Sequence, residues 1–317
     1  MKKIIAVLLV LLTVLLCGCS IGDQKIRLGS AGVGGIYHET ATSLKQLADS
    51  QGKLDIEVKT TAGSAANVRL LSQGYIDAAI AQSDIVNDAY NGENSFSSSK
   101  SYKGYGAVAG LFTEACHIIV REDSNIKSID DLLGKTVSIG EKESGTELNA
   151  NQILSVYGFT SKMINKTNLD YAQAAKKLSA GEIDAFFCTV GINATVIQEL
   201  SKQCNIRLLS IDKEKADKLK AAYSYIDCTI SKDIYSGQEN DITSVGVKAL
   251  LVASNKLSEE QVQALTELVF NNAKELQLTV SANIEINEHD AVQGIKIPFH
   301  KGAARYYSEK GITVKTE

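Results

Sequence analysis

Two glycine-bearing loops hold the residues whose types and spacing best suit them to chemistry. The first runs from Ser30 to Ile36 and includes Gly34 and Gly35, and the second spans residues 141–146 and includes Gly145. A helix-forming segment follows each loop. Because the first N–H groups of a helix lack backbone partners and lie at the positive end of its dipole, such loops favour anions. Each exposed helix end contributes roughly 0.3 to 1 kcal/mol, so several ends together could hold a carboxylate without a basic side chain.

Alternating strands and helices position these loops. Strands are predicted at residues 25–29, 55–60 and 75–82, with helices between them, and the pattern resumes with a strand at residues 135–140. One template, at an offset of 107 residues, describes both L-S-Q-G-Y-I-D-A-A-I-A and L-S-A-G-E-I-D-A-F-F-C. This alternation predicts an α/β protein with two halves, each a mostly parallel sheet flanked by helices. Such sheets bind ligands beyond the carboxyl ends of their strands, so the two loops are expected to face a shared cleft.

The chain is expected to form two lobes joined by two crossing strands. Lobe I takes residues 24–113 and 232–317, and lobe II takes residues 114–231. The crossings are predicted near residues 112–118 and 225–231. Two crossing strands make a hinge, and closure of a hinge around a ligand is a recognised form of domain motion.

The N-terminus has the features of an export signal. Lys2 and Lys3 precede an apolar stretch, Ile4 to Leu16, which is too short for a membrane span and typical of a secretory signal. The following Leu-Cys-Gly-Cys-Ser resembles a bacterial lipobox. We therefore expect residues 1–18 to be a lipoprotein signal peptide and Cys19 to carry the lipid that anchors the mature chain to the membrane. The alternative is an unlipidated signal peptide.

Composition bounds the remaining function classes. The 317 residues are 44% hydrophobic and 22% charged, which is ordinary for a globular protein and excludes a disordered chain. Without Lys2 and Lys3 the chain has 31 basic and 37 acidic residues, so it offers no electrostatic footprint for nucleic acid. No nucleic-acid partner is expected.

Cysteine and histidine give no sign of a metal site. The four histidines are scattered, and no Cys-x-x-Cys spacing occurs, so we expect neither a bound metal nor a redox motif. Two alternatives stay open for the mature thiols. They form disulfides, which export permits, or they are buried as small hydrophobes. The residues concerned are Cys116, Cys188, Cys204 and Cys228.

Enzyme classes find little support. The first loop has Tyr37 where a dinucleotide-binding motif needs its last glycine, and residues 140–146 lack the lysine of a P-loop. A serine hydrolase would need a G-x-S-x-G turn, which is absent. Cys188 ends a predicted cleft-facing strand, but no base can be named for it. We therefore expect no catalysis and no cofactor.

Seven segments of the chain carry a family resemblance. They are G-S-A-G-V-G-G-I-Y-H (29–38), T-A-G-S-A-A-N-V-R-L-L (61–71), D-A-A-I-A-Q-S-D (77–84), D-A-Y-N-G (88–92), S-G-T-E-L-N-A (144–150), Y-A-Q-A-A-K-K-L-S-A-G-E-I-D-A-F-F (171–187) and H-K-G-A-A-R-Y-Y (300–307). Together they resemble the TAXI solute receptors of TRAP transporters. The resemblance implies a two-lobe periplasmic-binding-protein fold of the second type, which passes a small organic solute to a fused, ion-driven membrane permease. Members are associated with dicarboxylates or amino acids such as glutamate and oxoglutarate. The alternatives are a surface lipoprotein without a transport role, and an NMT1-like thiamine-precursor binding protein or enzyme.

The predicted ligand contacts lie around the helix starts and strand ends. Ser64 could instead be only a helix cap, Gln82 a structural amide and Tyr37 a core residue. Many TAXI sequences carry arginine after S-G-T, whereas this chain has Glu147, which either points away or faces a solute bearing an amine. The predicted contacts are Gly34, Gly35, Tyr37, Ser64, Asn67 and Gln82 in the first half, and Ser144, Gly145, Thr146 and Thr189 in the second.

Overall fold

The computed structural model describes residues 25–33, 35–98, 101–279 and 285–316. The predicted signal peptide (residues 1–18), the predicted lipidation site Cys19 and the loop residue Gly34 lie outside these ranges. Within them, no helix combines the length and the apolar character that crossing a bilayer requires.

Ten strands of the described ranges form one sheet. Its order is β2-β1-β3-β10-β4-β7-β5-β6, with β8 added to β4 and β9 added to β10. The strands are β1 (Ile26–Gly29), β2 (Ile56–Lys59), β3 (Ala78–Gln82), β4 (Tyr105–Arg121), β5 (Thr136–Ser138), β6 (Asn165–Thr167), β7 (Ala185–Gly191), β8 (Ile206–Leu208), β9 (Ile226–Ile230) and β10 (Ile242–Ser254).

Helices connect the strands and cover the sheet. Their ends follow local sequence signals: Ser258 and Gln261 form a reciprocal capping box, Asp170 accepts the N–H of Gln173, and Gly74 ends its helix in the left-handed conformation. The helices are α1 (Ile36–Gln51), α2 (Ser64–Gln73), α3 (Ser83–Asn91), α4 (Gly145–Val156), α5 (Tyr171–Ser179), α6 (Thr195–Gln203), α7 (Lys213–Tyr223), α8 (Glu259–Asn271), α9 (Ala273–Thr279), α10 (Glu288–Ala291) and α11 (Lys301–Glu309).

The sheet is built from two parallel groups and two long shared strands. β2-β1-β3 are parallel, as are β6-β5-β7, whereas β4 and β10 run antiparallel to each other and to the groups they join. β3 and β7 are buried along their whole length, as expected for strands with helices on both faces. The predicted two-lobe α/β fold is confirmed.

The second crossing strand differs from the prediction. We expected it near residues 225–231, but Ile226–Ile230 is β9, which only pairs with β10. The crossing is made by β10, whose start pairs with β9 and whose end pairs with β3. Its apolar run is long enough, at 13 residues, to serve both groups, whereas β9 has only five residues and is mostly exposed at the edge.

Three hydrophobic clusters divide the interior. One draws on residues 26–112 and 249–307, and the other two draw on residues 115–247. We call the region of the first cluster the first lobe and the region of the other two the second lobe. β4 and β10 contribute side chains to both, so the lobes are connected through the middle of the sheet.

The second alternative, burial as small hydrophobes, is observed for two of the four cysteines, whereas Cys204 and Cys228 are half-buried. All four described thiols are free, and Cys116 and Cys188 are buried in the second lobe.

His117 is also buried, with its ring nitrogens near the carbonyl of Ala115 and the hydroxyl of Tyr235. Burial lowers the pKa of His117 to about 4. Across the described part of the chain, no group of His, Cys, Asp or Glu side chains is arranged to hold a metal ion.

Polar contacts join the lobes. The Ala66 N–H, at the start of α2, donates to the carbonyl of Glu143 at 3.1 Å, and Arg69 one turn later pairs with the Glu143 carboxylate at 2.8 Å. A third contact is fully buried: Asn149 on α4 donates to Asp84 on α3 at 3.0 Å. The other carboxylate oxygen of Asp84 has no hydrogen-bond partner. Burial therefore raises the pKa of Asp84 to about 7.

Asp84→Asn should change how stability depends on pH. An unfolded aspartate titrates near pH 3.9, so between about pH 4 and 7 the folded protein keeps a proton that the unfolded chain has lost, and its stability falls as pH rises. Asparagine does not titrate, so the variant lacks this loss of stability. As pH rises from about 5 to about 8, its free energy of unfolding should therefore increase by roughly 1 to 3 kcal/mol relative to that of wild type. Denaturant titrations at four pH values measure the difference.

Asp131→Asn is the matched control. Hydrogen bonds from the backbone of Lys127 and from Ser128 lower the pKa of Asp131, which is exposed, so it is ionised in both states over this pH range. Its difference from wild type should be constant. A constant difference for Asp84→Asn as well would contradict the buried, proton-holding carboxyl.

Candidate functional site

A cavity of about 330 Å³ lies between the lobes. Six helices begin at residues that line it, three from each lobe. The first N–H groups of these helices therefore surround one space, and their dipoles raise its potential. The lining residues at the helix starts are Gly35, Gly63 and Gln82 of the first lobe, and Ser144, Asp170 and Thr195 of the second.

Backbone from the two lobes approaches closely at this cavity. Gly63 has φ 117°, a conformation that glycine adopts readily, and a Cβ there would lie 3.5 Å from Cα of Ser144 in the other lobe. A Cβ on Gly145 would lie only 2.2 Å from Oε1 of Gln82. The absence of a side chain at Gly145 therefore lets the Gln82 amide pack against the start of α4.

Most of the predicted ligand contacts lie on the cavity wall, so the structure brings residues from both predicted loops together. Gly34 is outside the described residues. The predicted contacts that line the cavity are Gly35, Tyr37, Ser64, Gln82, Ser144, Gly145, Thr146 and Thr189.

Asn67 is not among the lining residues. Its side chain is fully buried and donates to the carbonyls of Ser30 and Ile80, at 2.6 and 2.8 Å, while its oxygen accepts the Thr61 hydroxyl. These bonds tie the end of β1 to β3, so Asn67 supports the first loop from behind. Asn67 was predicted to contact the ligand, but the structure gives its side chain this structural role instead.

Ser64 differs from the predicted cap. The residue at the N-cap position is Gly63, and Ser64 is the first helical residue, whose hydroxyl accepts the backbone N–H of Gln82 at 3.1 Å. In the second lobe Ser144 does cap its helix, accepting the N–H of Glu147. Serine therefore fixes a helix start in both lobes, through different partners.

A tyrosine that the sequence analysis missed organises the second-lobe wall. The Tyr171 hydroxyl lies 2.6 Å from the hydroxyl of Thr146 and donates to the carbonyl of Thr189 at 3.1 Å. Thr146 also accepts the N–H of Thr189. These bonds fix the start of α4, the start of α5 and the end of β7 relative to one another.

Glu147 points away from the cavity. Its carboxylate accepts the N–H of Glu143 at 2.7 Å and the side-chain amide of Asn168 at 2.9 Å, and it is not a lining residue. It thereby holds the loop whose Glu143 carbonyl meets α2 of the other lobe. The first of the two alternatives for Glu147 is the one observed.

Glu114 is the main lining residue that the sequence analysis missed. It lies in the middle of β4, is 2% exposed, and accepts the hydroxyl of Tyr37 at 2.5 Å. Burial raises the pKa of Glu114 to about 8, opposed by hydrogen bonds from Tyr37 and Gln82 and assisted by the nearby Asp84. A single acid inside an otherwise apolar strand was the signal that could have identified it.

Comparisons with known proteins agree with this architecture. Among solved structures, a protein of Bordetella bronchiseptica RB50 aligns with a TM-score of 0.57 at 14% identity, covering 90% of this chain and 98% of the other. A periplasmic transporter aligns at 0.54 and 14%, covering 85% and 90%. A protein of Xanthomonas citri, solved with ATP bound, aligns at 0.51 and 10%, covering 90% and 99%. At these identities the likeness establishes the fold.

The family assignment rests on a sequence model. The model described as the NMT1-like family matches residues 28–311, which is nearly the whole described chain and includes every residue of the cavity wall. The resemblance to TAXI receptors names a more specific group of proteins than this match shows. The chain belongs to the NMT1-like family.

Proposed function

We propose that this protein is an extracytoplasmic receptor of the TAXI type, which captures a small organic acid or amino acid and delivers it to a TRAP membrane permease. The observation that carries the proposal is the cavity between the lobes, where three helices from each lobe begin. A solute held there contacts both lobes at once. Contacts of this kind are made only when the lobes are together, so binding favours closure.

The helix starts suit a carboxylate group on the solute. The backbone N–H groups of a first helical turn are hydrogen-bond donors, and a partly buried helix end contributes up to about 2 kcal/mol toward an anion. The glycines at Gly63 and Gly145 leave the backbone accessible. β4 and β10 supply the hinge, because they are the long strands shared by both lobes.

A receptor without catalytic activity is consistent with the buried thiols and imidazole. Burial raises the pKa of the Cys188 thiol well above its usual range, which disfavours the nucleophilic thiolate. His117 is held by neighbours in the core and lies off the cavity wall. We infer that the solute is bound and released unchanged.

The proposed location of the protein follows from its N-terminal sequence, and the proposed partner follows from the TAXI resemblance. Export by residues 1–18 and lipidation at Cys19 would keep the receptor at the outer face of the membrane. Two or three acyl chains hold a protein durably, whereas one chain is marginal. The permease partner is the fused membrane component of a TRAP transporter.

A thermal-shift panel of organic acids, amino acids and amines tests the receptor function. A ligand present at about 100 times its dissociation constant stabilises the folded state by about 2.7 kcal/mol, which raises the melting temperature by several degrees. We expect at least one member of the panel to do so. Turnover of a binding compound would contradict the proposal, as would the absence of a shift with every member.

Gly145→Ala tests the location of the site. The added methyl group would overlap the Gln82 amide and displace it from the cavity wall, so we expect the apparent affinity for the ligand to fall at least tenfold. Ser155→Ala, at an exposed position of the same helix, is the matched control and should bind as wild type does. A folded Gly145→Ala protein with unchanged affinity would remove this contact from the site.

A further inference from the structure

The described residues that line the cavity include four carboxylic acids and neither lysine nor arginine. Two of the acids have a local explanation. Asp170 caps α5, and Glu39 lies in the first turn of α1, where a helix dipole favours negative charge. The other two, Glu114 and Glu141, belong to no helix start. A solute with two carboxylates would meet these acids without any basic side chain to offset them.

Glu114 is the acid at the buried end of the cavity. It lies on β4, which both lobes share, and it is almost fully buried. The Tyr37 hydroxyl donates to its Oε2, and the side chain of Gln82 also contacts the carboxyl. Because burial raises the pKa of Glu114 to about 8, its carboxyl keeps the proton near neutral pH while no cation lies beside it. Ionisation of a buried carboxyl is costly unless a positive charge pairs with it, and none of the described residues lining the cavity offers one. A group on the solute can supply that charge.

Gln82 provides a second acceptor next to Glu114. Its side chain also lines the cavity and is 3% exposed, and its Oε1 has no hydrogen-bond partner. An acceptor buried in this way destabilises the protein until a donor reaches it. A carboxylate brings only acceptors, whereas a protonated primary amine brings three donors and a positive charge. The two side chains together therefore favour an amine.

The rest of the wall is largely apolar. Val33 and Ile36 come from the first lobe, and Leu169, Val190 and Val196 come from the second. Val33 is 79% exposed at the edge of the cavity, so its side chain is available to cover a ligand. This lining suits an aliphatic or aromatic group more than a second charged one.

We propose that the solute has a protonated amino group on an apolar body, and that Glu114 and Gln82 bind the amino group inside the cavity. This inference rests on the receptor function proposed above and names the solute class of the same site. A carboxylate on the solute, where present, lies at the helix starts. Tyr37 is a positioning residue, because its hydroxyl holds the Glu114 carboxylate.

Matched compounds test the inference on the unaltered protein by isothermal titration calorimetry. The probes are leucine, 4-methylpentanoate, which lacks the amino group, and 3-methylbutylamine, which lacks the carboxylate, together with glutamate and glutarate. We expect leucine and 3-methylbutylamine to bind, and 4-methylpentanoate to bind at least tenfold more weakly than leucine. Equal or tighter binding of 4-methylpentanoate or glutarate, relative to its amino partner, would overturn the inference and leave the receptor function intact. Absence of binding by all five would overturn the inference, and the wider thermal-shift panel would then decide the receptor function separately.

A charge-removing variant locates the amino group. Glu114→Gln should weaken leucine at least tenfold, while any residual binding of 4-methylpentanoate should stay the same or strengthen. Glu57→Gln removes one charge from β2, away from the cavity, and should leave both affinities unchanged. Equal affinity of wild type and folded Glu114→Gln for leucine would overturn the assignment of Glu114. The compound series needs no variant, so it remains decisive if Glu114→Gln fails to fold.

Discussion

The contact between the Gln82 amide of the first lobe and the Gly145 backbone of the second sets the distance at which the lobes meet. A methyl group at Gly145 would overlap the amide, which would then have to leave its observed position. The same loop presents the Glu143 carbonyl to the first N–H groups of α2, and the Glu147 carboxylate holds that loop in place. Contacts of Gln82, Gly145, Glu143 and Glu147 thus hold the lobes at the distance at which six helix starts surround one cavity.

The cavity combines two electrostatic tendencies that are usually found apart. Helix starts favour negative charge, whereas Glu114 and Glu141 favour positive charge. The two tendencies come from different groups, since the N–H groups belong to the helix starts and Glu114 lies on the shared strand β4. A solute with an amino group at one end, an apolar body and, where present, a carboxylate satisfies both tendencies. A dicarboxylate satisfies only one.

Much of this arrangement could be predicted from the sequence. The repeated strand-and-helix pattern identified two α/β halves, and the glycine loops identified residues such as Gly35 and Gly145 that do line the cavity. Helix starts are local features, set by a few neighbouring residues, so sequence spacing reveals them. The lobe boundaries remain a prediction, although the hydrophobic clusters divide the chain near residue 112.

Features that depend on long-range packing could not be predicted from the sequence. The second crossing strand was misplaced because β9 and β10 are neighbours in the chain, and their pairing partners show which of the two joins the lobes. Asn67 was expected at the ligand because a polar residue near a glycine loop gives no indication of whether backbone carbonyls surround it, as those of Ser30 and Ile80 do. Glu114 was overlooked because its role comes from Tyr37 and Gln82, which are distant in the chain.

A crystal structure of the protein with the compound that raises its melting temperature most would show directly where the solute binds. We expect the compound between the lobes, with an amino nitrogen within hydrogen-bond distance of the Glu114 carboxylate and contacts to the starts of helices from both lobes. A compound bound outside the cavity, or bound inside it with a carboxylate at Glu114, would overturn the proposed binding mode.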